Sequence, residues 1–341
     1  GGYWVYRYAQ RRVKEKQEKE ATECLAHARR QHHFDSNQRT CNLTVLSMLP
    51  NLRDALMTIF DTESITEKLK TSPPSKVELW EELKIKSFSR IVCVIYGCSI
   101  MALLLRVQLN VIGGYIFLDS AQSQNGKRRE LSIPKDVQER YLADIKYFMG
   151  QGLEELCAFV EGAVEKELKS VPLKEKLTLN NIQARLNDVR ERIETSPEIS
   201  SLSSPTTVLC PYMMPKEDNS SLENLSNGEK IYQKLTQETR DLIESSDFHD
   251  VLKTCLDRGY SKLVDSFGEH YRQIATGDTI QSFHETSIPM AKLVPVASGL
   301  VHKLCSDAPN PLIQELLLLE STKTLAANIY EAFSQQEITD T

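Results

Sequence analysis

Apolar residues recur at spacings of three and four along most of the chain, and no long run alternates apolar with polar residues. One such helix face is formed by Ile182, Leu186, Val189 and Ile193, at spacings of four, three and four. This period is typical of amphipathic helices, whereas a half-buried strand would alternate at every second residue. We therefore predict an all-α fold, a single large bundle of long helices.

The longest apolar run, IVCVIYGCSIMALLL at 91–105, contains no charged residue. A membrane span needs roughly 20 apolar residues, and this run is too short because Arg106 interrupts it. A helix that is apolar on all sides is also typical of the centre of a large soluble bundle. We predict that the run is a central helix buried by protein, and that Gly113 and Gly114 loosen or end it.

The first residues have the order of a membrane anchor's cytosolic edge. Aromatic residues come first and basic residues follow: Tyr3, Trp4, Tyr6 and Tyr8, then Arg7, Arg11, Arg12, Lys14 and Lys16. Tyr and Trp favour the bilayer interface, and Lys and Arg favour its cytoplasmic side. We expect residues 1–36 to be a juxtamembrane stub and stalk helix, with the span itself missing before Gly1, and 37–341 to be the cytosolic domain. The alternative is an aromatic-rich start to an ordinary surface helix.

Helix boundaries and loops follow from breakers and polar stretches. We predict a first helix from about Val5 to His33 and a separate segment from Cys41 to Phe60, in which Pro50 starts a new helix or kinks this one. The stretch 196–228 is rich in Ser, Pro and Asn and predicts a long loop, although LCPYMMP within it is apolar enough to pack on the body. The stretch 276–287 is expected to be mobile.

Composition and motifs narrow the function classes. Hydrophobic residues make up 40% and charged residues 26% of 341 residues, and the net charge of -6 gives no nucleic-acid footprint. Eight cysteines without a repeated spacing are typical of reduced, buried thiols. The sequence has no HExxH, GxSxG, P-loop or Rossmann glycine pattern. We predict no enzymatic activity, no cofactor and no metal site; the alternative is an enzyme whose active site lacks a known motif.

The segment KVELWEELKIKSF at 76–88 is unusual because it has two apolar sectors. At about 100° per residue, one sector holds Val77, Ile85 and Phe88, and the other holds Leu79, Trp80 and Leu83. Either both sectors are buried in a multilayer bundle, or the second lines an exposed groove rimmed by Lys76 and Lys84. Such a groove would suit an amphipathic helix with acidic flanks. A central Trp80 would be a typical hot-spot residue, since it removes a large apolar area from water.

Four segments carry a resemblance that covers nearly the whole chain: NQRTCNLTVLSMLPNLRDAL, KVELWEELKIKSFSR, LLLRVQLNVIGGYIFLD and AANIYEAFS. They resemble the peroxin-3 family of peroxisome biogenesis factors, in its animal form. The resemblance implies an all-helical cytosolic domain, anchored by its N-terminus in the peroxisomal membrane. It also implies a docking receptor for peroxin-19, the soluble chaperone of newly made membrane proteins. The loops at 119–135 and 196–228 depart from the family pattern.

The family's binding groove, carried over onto this sequence, has Trp80 at its centre. The surrounding residues would be Leu69, Lys76, Leu83 and Lys84, with Ile116, Leu173 and Lys292 contributed by other helices. The partners implied are peroxin-19, the membrane through the missing span, and phospholipid as a further candidate. The alternative function is a lipid-binding or membrane-remodelling helical module, suggested by the basic start and the wide apolar central helix.

Overall fold

The computed structural model describes residues 2–124, 132–195, 205–216, 225–275 and 280–335. The elements of the first half are α1 (Gly2–Ile59), α2 (Thr62–Lys70), α3 (Lys76–Gln124), α4 (Lys135–Leu142), α5 (Ile145–Tyr147), a π-helical turn (Phe148–Gly152) and α6 (Leu153–Leu168). Those of the second half are β1 (Lys176–Leu177), α7 (Leu179–Glu194), a 3-10 turn (Pro205–Leu209), α8 (Cys210–Met213), α9 (Asn227–Ile243), α10 (Ser246–Ile274), α11 (Ile280–Glu285), β2 (Ile288–Pro289), α12 (Met290–Leu304), α13 (Pro311–Leu318) and α14 (Glu320–Ser334). Within the described ranges the only strands are β1 and β2, which form one short antiparallel pair. The predicted all-α fold is confirmed.

Helix α3 is the centre of the bundle. Every residue of the charge-free run 91–105 is buried, and α1, α6, α10, α12 and α14 pack around the helix. By length and composition α3 could cross a membrane, but its most apolar stretch is wholly enclosed by protein. The prediction of a buried central helix is confirmed.

The predicted break at Gly113 and Gly114 is wrong, because α3 continues to Gln124. Both glycines allow close approach of neighbouring helices. A Cβ atom on Gly114 would lie 2.7 Å from the Cβ of Phe333, and one on Gly113 would lie 2.7 Å from the Nδ2 of Asn37. The pair therefore lets α14 and α1 pack closely on α3, and tertiary packing outweighs the low helix propensity of glycine.

We expect Gly114→Ala to destabilise the fold by about 1 to 3 kcal/mol, because the added methyl group meets the Phe333 side chain and backbone. Gly162→Ala in α6 is the matched control, since no atom lies within 4 Å of its added Cβ. That variant should stabilise the fold by up to about 1 kcal/mol through helix propensity alone. Denaturant unfolding of both variants measures the difference. Equal stabilities would contradict the close packing of α14 on α3.

The predicted helix end at His33 and a new helix starting at Pro50 are wrong, because α1 is one helix with Pro50 inside it. A kink at Pro50 stays a prediction. A proline in a helix interior costs about 3 kcal/mol. Leu49 and Leu52, on either side, are almost fully buried. Burial of this face against α3 holds the helix together across the proline.

The first half of α1 projects from the body. Residues 3–29 are all exposed, and Cys41 is the first buried residue. This exposed part is about 40 Å long at 1.5 Å per residue. Four successive ion pairs at i,i+4 spacing lie along it: Arg11–Glu15, Lys14–Glu18, Lys16–Glu20 and Lys19–Glu23. The division between a stalk at 1–36 and a domain at 37–341 stays a prediction.

The described part of the segment between α7 and α9, residues 205–216, packs on the body where the sequence predicted it. Leu209 and Met213 are fully buried, in the 3-10 turn and α8, so that prediction is confirmed. Other parts of the predicted loops, at 125–131, 196–204, 217–224 and 276–279, lie outside the described residues. Residues 119–124 continue α3, and Ile280–Glu285 is helical.

Candidate partner-binding site

Helices α2 and α12 are fixed beside the first turns of α3 by one buried side chain, Arg90. Its Nη1 donates to the Oε2 of Glu63 at 2.9 Å and to the carbonyl of Phe60 at 3.1 Å. Its Nη2 donates to the carbonyl of Ser298 at 2.6 Å. Because only five residues separate α2 from α3, the last turn of α2 lies at the start of α3.

The segment after α6 completes this end of the bundle. The backbone N–H of Ala291 donates to the carbonyl of Leu173 at 2.8 Å, and that of Met290 donates to the carbonyl of Glu175 at 2.9 Å. The Nζ of Lys84 donates to the carbonyl of Val171 at 2.7 Å. The segment 171–175 is therefore bonded to α12 on one side and to α3 on the other.

Seven of the eight residues predicted for the groove lie on these converging elements, at one end of α3: Leu69, Lys76, Trp80, Leu83, Lys84, Leu173 and Lys292. Three of the apolar ones are half-buried and pack against the core while keeping part of their surface in water: Leu69, Trp80 and Leu173. Lys76 and Lys292 are exposed. We refer to this end of the bundle as the Trp80 surface, defined by the residues that keep part of their surface in water: Leu69, Lys76, Trp80, Leu173 and Lys292.

Two of the seven do not lie where the sequence placed them. Leu83 is only 3% exposed, and the Lys84 side chain is 0% exposed. Lys84 is an interior residue because its ammonium group has two partners, the Val171 carbonyl and the Oε2 of Glu81 at 2.6 Å. The exposed rim position predicted for Lys84 is therefore wrong, and Leu83 belongs to the core beneath the surface.

Ile116 does not belong to the Trp80 surface. It follows Trp80 by 36 residues on the same helix, which is about 54 Å along the helix axis. Its neighbour Phe117 lies against His33 and Tyr330, at the opposite end of α3. One short helix bound at Trp80 could not reach it.

Val77 also belongs to this surface, although the sequence pattern placed it in the other apolar sector, with Ile85 and Phe88. It precedes Trp80 by three residues, which places it about 60° away around the helix, and it is 67% exposed. Phe88 and Lys84 continue the same stripe and are buried. Towards the N-terminus of α3 this side of the helix is no longer fully covered by other helices, so Trp80 is half-buried and Val77 is exposed. The i,i+3 spacing of Val77 and Trp80 was the signal that could have identified it.

Four exposed lysines belong to the Trp80 surface or lie next to its residues in the sequence, and two of them were not among the predicted site residues. Lys68 precedes Leu69 and Lys174 follows Leu173, and both are exposed, as are Lys76 and Lys292. Within the described part of the chain, none of these four lysines forms an ion pair. Their charges are therefore available to an acidic partner. Lys68 and Lys174 could have been identified from the sequence, because each is next to a leucine that was predicted for the site.

Cys210 and His249 form a close thiol–imidazole pair outside the Trp80 surface. The Sγ of Cys210 lies 3.7 Å from the Nε2 of His249, but burial raises the pKa of Cys210 to about 12 and lowers the pKa of His249. A thiol and an imidazole that are both neutral at pH 7 do not form a thiolate–imidazolium pair. No group of three or more metal-binding side chains occurs in the part of the chain that the structure describes.

Comparison with known proteins identifies the family. A sequence model of the Peroxin-3 family matches residues 1–74 and 70–332. "Peroxisomal biogenesis factor 3" of Bos taurus is 45% identical over 344 residues, covering 98% of this chain and 92% of the relative; the Homo sapiens protein of that name is 44% identical with the same coverage. "Peroxisome biogenesis protein 3-1" of Arabidopsis thaliana is 26% identical, covering 89% of this chain and 83% of the relative. With two animal relatives so similar over almost their full length, the chain belongs to the Peroxin-3 family and has a role in peroxisome biogenesis.

Proposed function

We propose that this chain is a membrane-anchored docking receptor at the peroxisome. It binds the N-terminal amphipathic helix of the import chaperone peroxin-19 at the Trp80 surface, and so serves the insertion of peroxisomal membrane proteins. The observation that carries the proposal is the partial exposure of Trp80 on the side of α3 that is buried from the next turn on, at Lys84 and Phe88. This half-buried tryptophan lies one turn before Lys84. The Nζ of Lys84 bonds to the segment 171–175, and that segment bonds to the first turn of α12.

The chemistry of the surface suits such a helix. An amphipathic helix binds by laying its apolar face, with anchors at i, i+3, i+4 and i+7, into an apolar groove. Val77 and Trp80 supply apolar area from α3, while Leu69 supplies it from α2 and Leu173 from the segment after α6. The four unpaired lysines complement acidic flanks on the partner. The role is one of binding rather than catalysis.

The N-terminal half of α1 supports the membrane part of the proposal. Its aromatic residues have no cover in the fold: Tyr3 is 68%, Trp4 76%, Tyr6 61% and Tyr8 61% exposed. Large exposed aromatic rings next to basic residues are typical of the bilayer interface. We propose that this end of α1 lies at the peroxisomal membrane and that the domain at 37–341 faces the cytosol.

A direct test is calorimetry with the full chain and a synthetic peptide of the N-terminal helix of peroxin-19. Saturable one-to-one binding that is lost when the peptide's apolar face is replaced by serines supports the proposal. Absence of binding contradicts it. Liposome flotation of the chain starting after Lys19 tests the alternative, a lipid-binding module. Flotation of this shortened chain, together with absence of peptide binding, would favour that alternative.

The charges around the surface give a second prediction. We expect Lys76→Glu combined with Lys292→Glu to slow association with the peptide by roughly threefold or more at low salt and to flatten its salt dependence. Exposed rim charges steer the encounter more than they hold the complex. Stopped-flow fluorescence at low and high salt measures both effects.

Lys135→Glu is the control for a lysine far from the Trp80 surface; unlike Lys76 and Lys292, Lys135 has an exposed ion pair, with Glu139 at 3.9 Å. Lys135 is exposed at the start of α4, and Tyr141 of the same helix accepts a hydrogen bond from Gln108, about 42 Å along α3 from Trp80. Its association rate should equal that of the unmodified chain. An unchanged salt dependence in the Lys76 and Lys292 variant would contradict the steering role.

A further inference from the structure

Lys84 is a fully buried lysine within one turn of the proposed docking residue. Its side chain is 0% exposed. Its Nζ donates to the carbonyl of Val171 at 2.7 Å and pairs with the Oε2 of Glu81 at 2.6 Å. Removing an ammonium group from water costs several kcal/mol unless partners replace the water. We therefore expect Lys84 to hold neighbouring segments in place rather than to bind a ligand.

The carbonyl that Lys84 holds belongs to a short segment without regular structure. Val171 is 1% exposed and follows α6. Two residues later, Leu173 is half-buried and packs against the core. On its other side the segment is bonded to the first turn of α12, by the N–H of Ala291 to the Leu173 carbonyl. The bond from Lys84 to Val171 therefore connects α3 to segment 171–175, and through that segment to the first turn of α12, where Lys292 lies.

Lys84 lies close to Trp80 on α3, so its bond to Val171 can affect the Trp80 surface. Lys84 follows Trp80 by four residues, which places it on the same side of the helix and about 6 Å further along the axis. The bond thus ties the backbone of segment 171–175, which carries Leu173, to α3 one turn from Trp80. A helix bound at Trp80 and Leu173 together would depend on that connection.

We infer that Lys84 is a positioning residue of the Trp80 surface: its buried ammonium group ties segment 171–175 to α3 one turn from Trp80, and it makes no contact with the partner. This inference rests on the proposed function, because the Trp80 surface must bind a helix for that connection to matter. It differs from the sequence-based expectation, in which Lys84 was an exposed rim charge.

The test compares Lys84→Met and Lys84→Gln in the full chain, with Lys76→Met as the control for an exposed charge. Lys84→Met should weaken binding of the helical peptide by roughly tenfold and leave the salt dependence of association unchanged. Lys84→Gln keeps an N–H donor without the charge and should recover part of that loss. Hydrogen exchange should quicken at the amides of Met290 and Ala291, which bond to this segment, while the central run 91–105 keeps its protection.

Each result decides the inference. If Lys84→Met and Lys84→Gln flatten the salt dependence as Lys76→Met does, Lys84 acts as a charge and the inference is overturned. Unchanged exchange at Met290 and Ala291 in the Gln variant together with weakened peptide binding also overturns it, because binding would then be lost without any loosening of the segment. This measurement remains possible if the Met variant does not fold. Trp80→Ala distinguishes failure of the positioning role of Lys84 from failure of the proposed docking function. If that variant loses binding while Lys84→Met keeps it, only the positioning role fails; if neither loses binding, the proposed function fails.

Discussion

Trp80→Ala should weaken binding of the peroxin-19 helical peptide by at least about 2 kcal/mol, roughly 30-fold, because a central aromatic residue commonly dominates such an interface. Trp80 is half-buried and packs against the core, so its removal should lower stability by less than the about 3 to 5 kcal/mol that a fully buried tryptophan costs. Calorimetry measures the affinity, and denaturant unfolding measures the stability.

The chain offers a matched control for this variant, because Trp4 is its other tryptophan. Trp4 is 76% exposed on the projecting part of α1, and Trp4→Ala should leave peptide affinity in solution unchanged. Trp80→Phe should retain part of the affinity, since it keeps an aromatic ring. If Trp80→Ala abolishes folding together with binding, Trp80 is a core residue and the docking surface must be sought elsewhere.

Arg90→Ala should lower the free energy of unfolding by about 2 to 4 kcal/mol, because two backbone carbonyls lose the donor that the buried guanidinium group supplies. The pair with Glu63 contributes less, since the Glu63 side chain is 48% exposed. The Arg90 side chain is 0% exposed and pairs with Glu63 at 2.9 Å, and its loss also frees the carbonyls of Phe60 and Ser298. Since these bonds hold α2 and α12 beside α3, peptide binding should fall as well.

Arg185→Ala is the control for a surface arginine. Its pair with Asp188 is 3.7 Å long and both side chains are at least 40% exposed, so the loss should be about 1 kcal/mol or less. Urea unfolding of the two variants under the same conditions gives the comparison. A cost for Arg90→Ala as small as that for Arg185→Ala would contradict its role in joining α2, α3 and α12.

The helices were predictable because their apolar faces are periodic, as at Ile182, Leu186, Val189 and Ile193, all buried in α7. The central position of 91–105 followed from the absence of charge. The errors arose where local propensity opposed tertiary packing. Pro50 and the pair Gly113–Gly114 read as breakers in isolation, but neighbouring helices determine their structure.

The candidate site was predictable in part. The two apolar sectors of 76–88 indicated a helix with more apolar surface than one core contact needs, and this identified Trp80. The burial of Lys84 could not be read from the sequence, because its partner Val171 is 87 residues away. Ile116 was assigned from family resemblance, which gives a position in the sequence but not its distance from Trp80.

Because α1 is one continuous helix from Gly2 to Ile59, a change in its length also rotates the start of the chain relative to the body. In a single α-helix, one inserted residue within the exposed part at 3–29 would turn everything before it by about 100° relative to the body and move it by about 1.5 Å. Seven inserted residues would lengthen the helix by about 10 Å and restore the original direction to within about 20°. The number of residues in the projecting helix therefore sets the azimuth of the Trp80 surface about the axis of α1, as well as its distance from the start of the chain.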